Sequence, residues 1–434
     1  MDPTTVGLIG LAILIIFLFS RMPVAFVMGL LGVVGFSYVV SFEGGMRMLA
    51  KDFFDIFGSY SLTVVPLFML MGQITFHAGI SSRLFDTAYK LIGHYPGGLA
   101  MAAVAACAGF AAICGSTNAA AATMGTVALP EMKRYKYNDE LATGTIAAGG
   151  SLGILIPPSV IFIVYGILTE QSIGSLFIAG IVPGILLSVF FILAIYIWVK
   201  LKPDTAPRGP KTTFKEKMLS LAGVGDTLIL FILVMGGLFA GFFTPTEAGA
   251  VGAGGAILLG FIRRRLTWKG FIQAAIESTR ISCMVLVIVA GATMFGHFLA
   301  ITRIPFALAT WVSELTMPHW AIMAFIIFLY LVGGAFVDAL ALILLTIPIF
   351  YPVVTAMGYD PIWFGVIIVL VTQMGVITPP VGVNVYIVNG IAKDVPLMTI
   401  FRGAVPFLLA IILCSLILIP FPQIALFLPT LMMR

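Results

Sequence analysis

The sequence predicts an all-α polytopic membrane protein: two inverted repeats of about five spans each, one re-entrant helical hairpin per repeat, and helices broken at the midplane. Three observations carry that expectation. Of the 434 residues, 61% are hydrophobic and only 9% are charged, whereas a soluble domain is about half apolar and about a quarter charged. At a mean hydropathy of +1.14 the chain cannot cover itself with polar surface, which excludes a soluble enzyme, a disordered chain and a nucleic-acid binder. Next, five prolines recur 222 residues on: Pro23 with Pro245, Pro96 with Pro318, Pro130 with Pro352, Pro157 with Pro379 and Pro158 with Pro380. Chance supplies about one such match at ordinary proline content. Finally, the basic residues fall mostly on one side of the span map set out below.

A span needs about 20 apolar residues at 1.5 Å each. In the first repeat, 1–202, candidate spans lie at 5–20, 23–41, 60–78, 141–168 and 173–199. In the second, 227–434, they lie at 227–243, 246–262, 281–300, 362–389 and 403–420. No basic residue precedes Arg21, so the first apolar run lacks the charged start of a cleavable signal and reads as a retained span. Two further apolar stretches, 98–130 and 319–356, are interrupted near the middle, by Gly115-Ser116-Thr117-Asn118 in the first and by Gly333, Gly334 and Asp338 in the second. Apolar, then polar and glycine-rich, then apolar again fits a hairpin that enters the membrane and turns back. Its tip must face protein or water, because lipid cannot satisfy bare backbone groups.

The segment 203–226 between the repeats carries Arg208, Lys211, Lys215 and Lys217 and reads as a cytoplasmic linker. With that side taken as inside, all but Arg47, Lys51, Arg303 and Arg434 of the 23 basic residues fall inside, and both termini are external. Five crossings is an odd number, so the second repeat is upside down relative to the first. The hairpins then enter from opposite faces and meet near the midplane, the usual arrangement of secondary transporters. Segments 79–96 and 263–280 are amphipathic and basic; they read as arms linking a moving part to a fixed one, or as interfacial anchors.

The strings GILIPP (153–158) and GVITPP (375–380) are the sharpest local chemistry. Proline removes a backbone donor and pushes its predecessor out of the helical region, so each Pro-Pro unwinds its helix. The freed carbonyls of Gly153, Leu155, Ile156, Gly375, Ile377 and Thr378 then either hold a coupling ion or simply mark a kink. Asp338 is the only acid deep in an apolar stretch, with Ser116 as its counterpart at the same offset. An intramembrane carboxylate is functional by default, though it can equally cap the helix that follows. Asn118, Asn384 and Asn389 are further polar groups at membrane depth, and His77 and His297 near span ends suit helix packing better than proton transfer. Cys107, Cys114, Cys283 and Cys414 read as buried free thiols. One deep acid without a partner does not make an intramembrane enzyme, and a channel would need a ring of identical filters.

Taken together, RMPVAFVMG, CGSTNAAAATMG followed by ALPEM, GGSLGILIPPS, FTPTEAGAVGA, FVDALALILLTIPIFYPV and MGVITPPVGVN make the chain resemble the large membrane subunit of TRAP transporters, DctM type, over nearly its whole length. The resemblance implies an elevator-type carrier of the ion transporter superfamily in a bacterial inner membrane, driven by sodium ions and holding no other cofactor. It implies two partners in the lipid bilayer and periplasm: a small four-helix membrane subunit (DctQ type) and a periplasmic substrate-binding protein (DctP type). The cargo would be an organic acid such as a C4-dicarboxylate or sialic acid, and the chain reads as an unfused large subunit. By the same resemblance, a first sodium site uses Ser116, Asn118, Gly153, Ile156 and Pro158, and a second uses Gly334, Gly375, Thr378 and Val381, mostly through backbone carbonyls. Thr117, Asp338 and Asn384 would lie near substrate or ion. A self-sufficient sodium-coupled dicarboxylate or citrate carrier of the same superfamily is the alternative.

Overall fold

A computed structural model describes residues 2–19, 22–314 and 317–432, and every regular element among them is helical. Arg21 and Arg434, two of the basic residues placed from the sequence, lie outside the described residues. The chain opens with α1 (Pro3–Phe19), α2 (Val24–Val39), α3 (Phe42–Phe57), α4 (Val64–His77) and α5 (Ile80–Ile92). The first hairpin is α6 (Gly98–Cys114) and α7 (Thr117–Arg134); the first broken helix is α8 (Asp139–Ser151) and α9 (Val160–Leu168), followed by α10 (Ile173–Leu201). After α11 (Phe214–Leu221), the next span runs from α12 (Gly225–Phe231) through a π-helical stretch, Ile232–Gly236, into α13 (Gly237–Phe239). Next come α14 (Pro245–Ile262), α15 (Trp268–Ile301) and α16 (Ile304–Glu314). The second hairpin is α17 (His319–Phe336) and α18 (Ala339–Ala356), the second broken helix α19 (Pro361–Ile377) and α20 (Val383–Ile391), and the chain closes with α21 (Leu397–Leu418) and α22 (Gln423–Met432).

Local chemistry sets the starts of these helices. Asn138 caps α8 through the Glu140 and Leu141 amides, and Asp360 caps α19 through those of Ile362 and Trp363. Thr244 and Glu247 form a reciprocal capping box at α14, with Pro245 at its first position. Among the described residues seven helices are long and apolar enough to cross a membrane, or eight if the bent pair Phe42–Phe57 and Ser61–His77 is one span. The α1, α2, α6 and α19 runs are shorter apolar helices.

Segment 263–280 is no separate arm: from Trp268 it forms the first part of the 34-residue α15 and runs unbroken into the span expected at 281–300. By contrast, Gly79, with φ +67°, breaks the chain before α5, so the arm expected at 79–96 is a helix of its own. Arg47 and Lys51 lie on α3, capped by Ser41 on the Gly44 amide, and Arg303 directly precedes α16. The linker 203–226 is docked: Thr87 Oγ1 donates to Ser220 O at 2.7 Å and Thr212 Oγ1 to Lys90 O at 2.6 Å, laying α11 against α5. Three of the cysteines are buried free thiols as expected, but Cys283 is exposed.

Close-packed glycines hold together two groups of helices. In one, α2 lies on α15, where a Cβ at Gly291 would come 2.2 Å from Ala25 O, and α4 lies on α14. In the other, α8 crosses α21, where a Cβ at Gly144 would come 2.2 Å from the Gly403 backbone, and α10 packs on α6, α19 and α21. The spans expected at 173–199 and 403–420 therefore pack with the hairpins and broken helices.

Candidate functional site

Each hairpin tip is a short break between two apolar helices, closed by a capping side chain. At the first, Gly115 takes φ +60° and the Ala119 amide donates to Ser116 Oγ at 3.4 Å, starting α7. At the second, the Leu340 amide donates to Asp338 Oδ2 at 3.1 Å, starting α18. The capping role read for Asp338 is thus present, and its repeat-offset counterpart Ser116 caps in the same way.

Each tip sits directly on a broken helix. A Cβ at Gly153 would lie 2.5 Å from Ser116 O, and one at Gly115 would lie 2.5 Å from Pro158 O. In the second half, a Cβ at Gly375 would lie 2.1 Å from the Gly334 carbonyl carbon and 2.2 Å from its oxygen, while the Val381 amide donates to Ala335 O at 3.2 Å. Ser116, Gly153 and Pro158 are brought together, and so are Gly334, Gly375, Thr378 and Val381. The Thr378 hydroxyl donates back to Met374 O, leaving lone pairs on its oxygen for another partner. The Ile156 side chain turns towards Gly184 on α10, so only its backbone can take part at the first site.

Both tips open into one cavity of about 200 Å³. Ser116, Thr117 and Asn118 line it from the first hairpin and Asp338, Ala339 and Leu340 from the second. Met69 and Gln73 of α4 and Ile281, Met284 and Val285 of α15 form the opposite wall. Thr117 Oγ1 donates to Asn118 Oδ1 at 3.1 Å, which fixes both side chains at the rim. The cavity thus lies where the two bodies meet. The α7 and α18 N-termini face it, each with partial positive charge from its unpaired amides. Asp338 is the one ionisable side chain in the lining, and no lysine or arginine lines it.

Asn384 does not line this cavity. Two residues past Gly382, it is fully buried against α8 and donates from Nδ2 to Ala147 O at 2.9 Å. Asn389 likewise serves local structure, donating to Val395 O at 2.9 Å. His77 pairs with Glu277 at 3.2 Å and His297 with Asp52 at 3.0 Å, in keeping with helix packing. Reading the sequence missed Gln73 in the wall and a buried pair across the two broken helices, Ser151 Oγ 3.2 Å from Gln373 Oε1. That pair is itself 222 residues apart, a signal available in the proline register.

A family model described as "Tripartite ATP-independent periplasmic transporter, DctM component" matches residues 11–424. The chain belongs to this family. It is therefore a multi-pass transporter permease, a large permease component. The chain is 37% identical over 385 residues to the C4-dicarboxylate TRAP transporter large permease protein DctM of Pseudomonas aeruginosa, covering 88% of this chain and 90% of that one. It is 34% identical over 415 residues to the sialic acid TRAP transporter large permease protein SiaM of Vibrio cholerae, covering 95% and 96%. The isethionate TRAP transporter permease protein DctMQ of Oleidesulfovibrio alaskensis is 33% identical, and the match covers 92% of this chain but 63% of that longer protein. Among solved structures, the Alcanivorax borkumensis YdaH transporter shares the fold, with a TM-score of 0.64 at 14% identity over 98% of this chain and all of that one. Family membership favours the tripartite reading over a self-sufficient carrier.

Proposed function

We propose that this permease carries a small organic acid, a C4-dicarboxylate or a sugar acid such as sialic acid, inward across a bacterial inner membrane, coupled to sodium ions. One observation carries the reading: two helix N-termini meet in a single cavity between two packed bodies. Half-helix N-termini attract anionic substrate groups in carriers of this kind. The lining carries no lysine or arginine, so an anion entering the cavity needs cations alongside. Sodium at the two tip-on-broken-helix junctions supplies them: Ser116, Asn118, Gly153, Ile156 and Pro158 hold one ion, and Gly334, Gly375, Thr378 and Val381 the other. The matching tip contacts, and the prolines 222 residues apart, support an inverted repeat of 1–202 and 227–434 joined by 203–226.

In this reading a small membrane subunit and a periplasmic binding protein complete the system, in line with relatives named for large and fused permeases. Reconstituted with both partners and an inward sodium gradient, the chain takes up the acid its binding protein retains. Omitting either partner, or the sodium, stops uptake. Full uptake by this chain alone would reject the tripartite reading.

Thr378→Val tests the second ion site. It preserves volume and removes an oxygen beside the unwound carbonyls. Losing a bond of about 1.5–3 kcal/mol to a charged group weakens apparent sodium affinity roughly 10–150-fold, with maximal uptake recovered at high sodium. An unchanged sodium dependence in folded protein removes the Thr378 side chain from the site.

A further inference from the structure

Away from the central cavity, a second one of about 360 Å³ opens where α5, the α11–α12 segment and the turn after α14 converge. Its centre is Asp226, whose carboxylate is buried. Arg83 Nη1 reaches Asp226 Oδ2 at 2.7 Å, Arg265 Nη1 the same oxygen at 2.9 Å, and Arg263 Nη2 the other at 3.4 Å. Lys90 and Asp86 complete the charged lining. Four cations thus face two carboxylates. A carboxylate offers about four lone-pair positions and each guanidinium five N–H donors, so Asp226 engages all three arginines but leaves most of their donors free. Arg263 and Arg265 keep 54% and 39% of their side-chain surface exposed, which leaves donors directed at the opening.

The position of the cavity selects the anion. Asp226 is the second residue of α12, within the apolar helical run Phe214–Phe239, and Arg263 directly follows Ile262, the last residue of the apolar α14. Arg263 and Arg265 therefore stand just past the end of a membrane-crossing helix, and their contacts with Asp226 hold the cluster at that level, at headgroup depth. Beside them α11 exposes Phe214, Met218, Leu219 and Leu221, and Leu219 lines the cavity itself. Such a surface suits an acyl chain, and an arginine-lined pocket at a span end suits a lipid phosphate. We infer that this cavity binds the phosphodiester headgroup of an anionic phospholipid, with Arg263 and Lys90 on the phosphate and α11 along the acyl chain. The bound lipid ties α5, the linker and the α14–α15 turn into one joint. This inference does not depend on which substrate the permease carries, and its readout is lipid binding.

The test uses the full chain purified in detergent and fluorescent phosphatidylglycerol, with phosphatidylcholine and inorganic phosphate as competitors. Phosphatidylglycerol is expected to bind at least roughly tenfold more tightly than phosphatidylcholine. Lys90→Gln combined with Arg263→Gln leaves Asp226 held by Arg83 and Arg265. It weakens phosphatidylglycerol roughly 10–30-fold and abolishes the preference, at an unchanged melting temperature in lipid-free detergent. If the double variant misfolds, Lys90→Gln alone gives a smaller loss of the same sign. Equal affinity for the two lipids, or unaltered phosphatidylglycerol binding in a folded variant, overturns the proposal. Displacement of phosphatidylglycerol by millimolar inorganic phosphate also overturns it, since the site would then serve a free anion.

Discussion

Gly375→Ala is expected to all but abolish sodium-driven uptake at physiological sodium while the protein still reaches the membrane. The added Cβ would sit 2.1 Å from the Gly334 carbonyl carbon, 2.2 Å from its oxygen and 2.5 Å from its Cα. All three are backbone atoms, so no side-chain rotation relieves the clash; the tip of the second hairpin must lift off the broken helix. Overpacking of this kind costs about 1–3 kcal/mol, drawn from the arrangement that brings Gly334, Gly375, Thr378 and Val381 together, which is roughly 5–150-fold in apparent sodium affinity. Gly153→Ala does the same at the first tip, where the Cβ would come 2.5 Å from Ser116 O. Gly254→Ala on α14 is the control: it meets nothing within 4 Å and should transport normally. Sodium titrations of the three variants decide the matter. Wild-type sodium affinity in Gly375→Ala and Gly153→Ala would separate the tip junctions from ion binding.

Those junctions were legible because chemistry interrupts an apolar background there. Gly115-Ser116-Thr117-Asn118, and Asp338 after Gly333 and Gly334, stand out as polar residues beside glycines in an apolar run, and the helix breaks fall at or just after them. The Pro-Pro pairs marked the second partner of each junction for the same reason. In contrast, α3 was hidden because charges such as Arg47, Lys51 and Asp52 depress its hydropathy below that of a span, although it carries its own Ser41 cap, and α16 because its 11 residues are too few for a span. The continuity of α15 was equally hidden, since Arg280 looks like a boundary but lies within an unbroken helix. That α10 and α21 pack with the hairpins and broken helices could not be read. It rests on which glycines meet, as Gly144 with Gly403 or Gly291 with Ala25, and hydropathy treats every such glycine alike. The cavity wall from α4 and α15 follows from that packing, so Gln73 was invisible until the bodies were assembled.

The largest motion expected is of one body past the other. The central cavity is walled on one side by the two tips and on the other by α4 and α15. Opening it by swinging one hairpin would part backbone from backbone at Gly153 or Gly375, and at the second tip would strip the Val381 amide of its Ala335 partner. Sliding the hairpins, broken helices, α10 and α21 together keeps these contacts and changes only the side facing α4 and α15. The first hairpin is joined to α4 through α5, with left-handed glycines before α5 and before α6, Gly79 at φ +67° and Gly97 at φ +74°, where backbone rotation is least hindered. Spectroscopic labels at Ala119→Cys and Val251→Cys, with the four native cysteines replaced, should therefore change separation by many ångströms between sodium-loaded and sodium-free protein. Ala335→Cys against Val251→Cys should shift as well, while Ala119→Cys against Ala335→Cys stays constant because both tips ride on one body. A changing tip-to-tip distance with one tip fixed to α14 would establish local gating instead. Constant distances for all three pairs, in protein shown to transport, would reject the elevator.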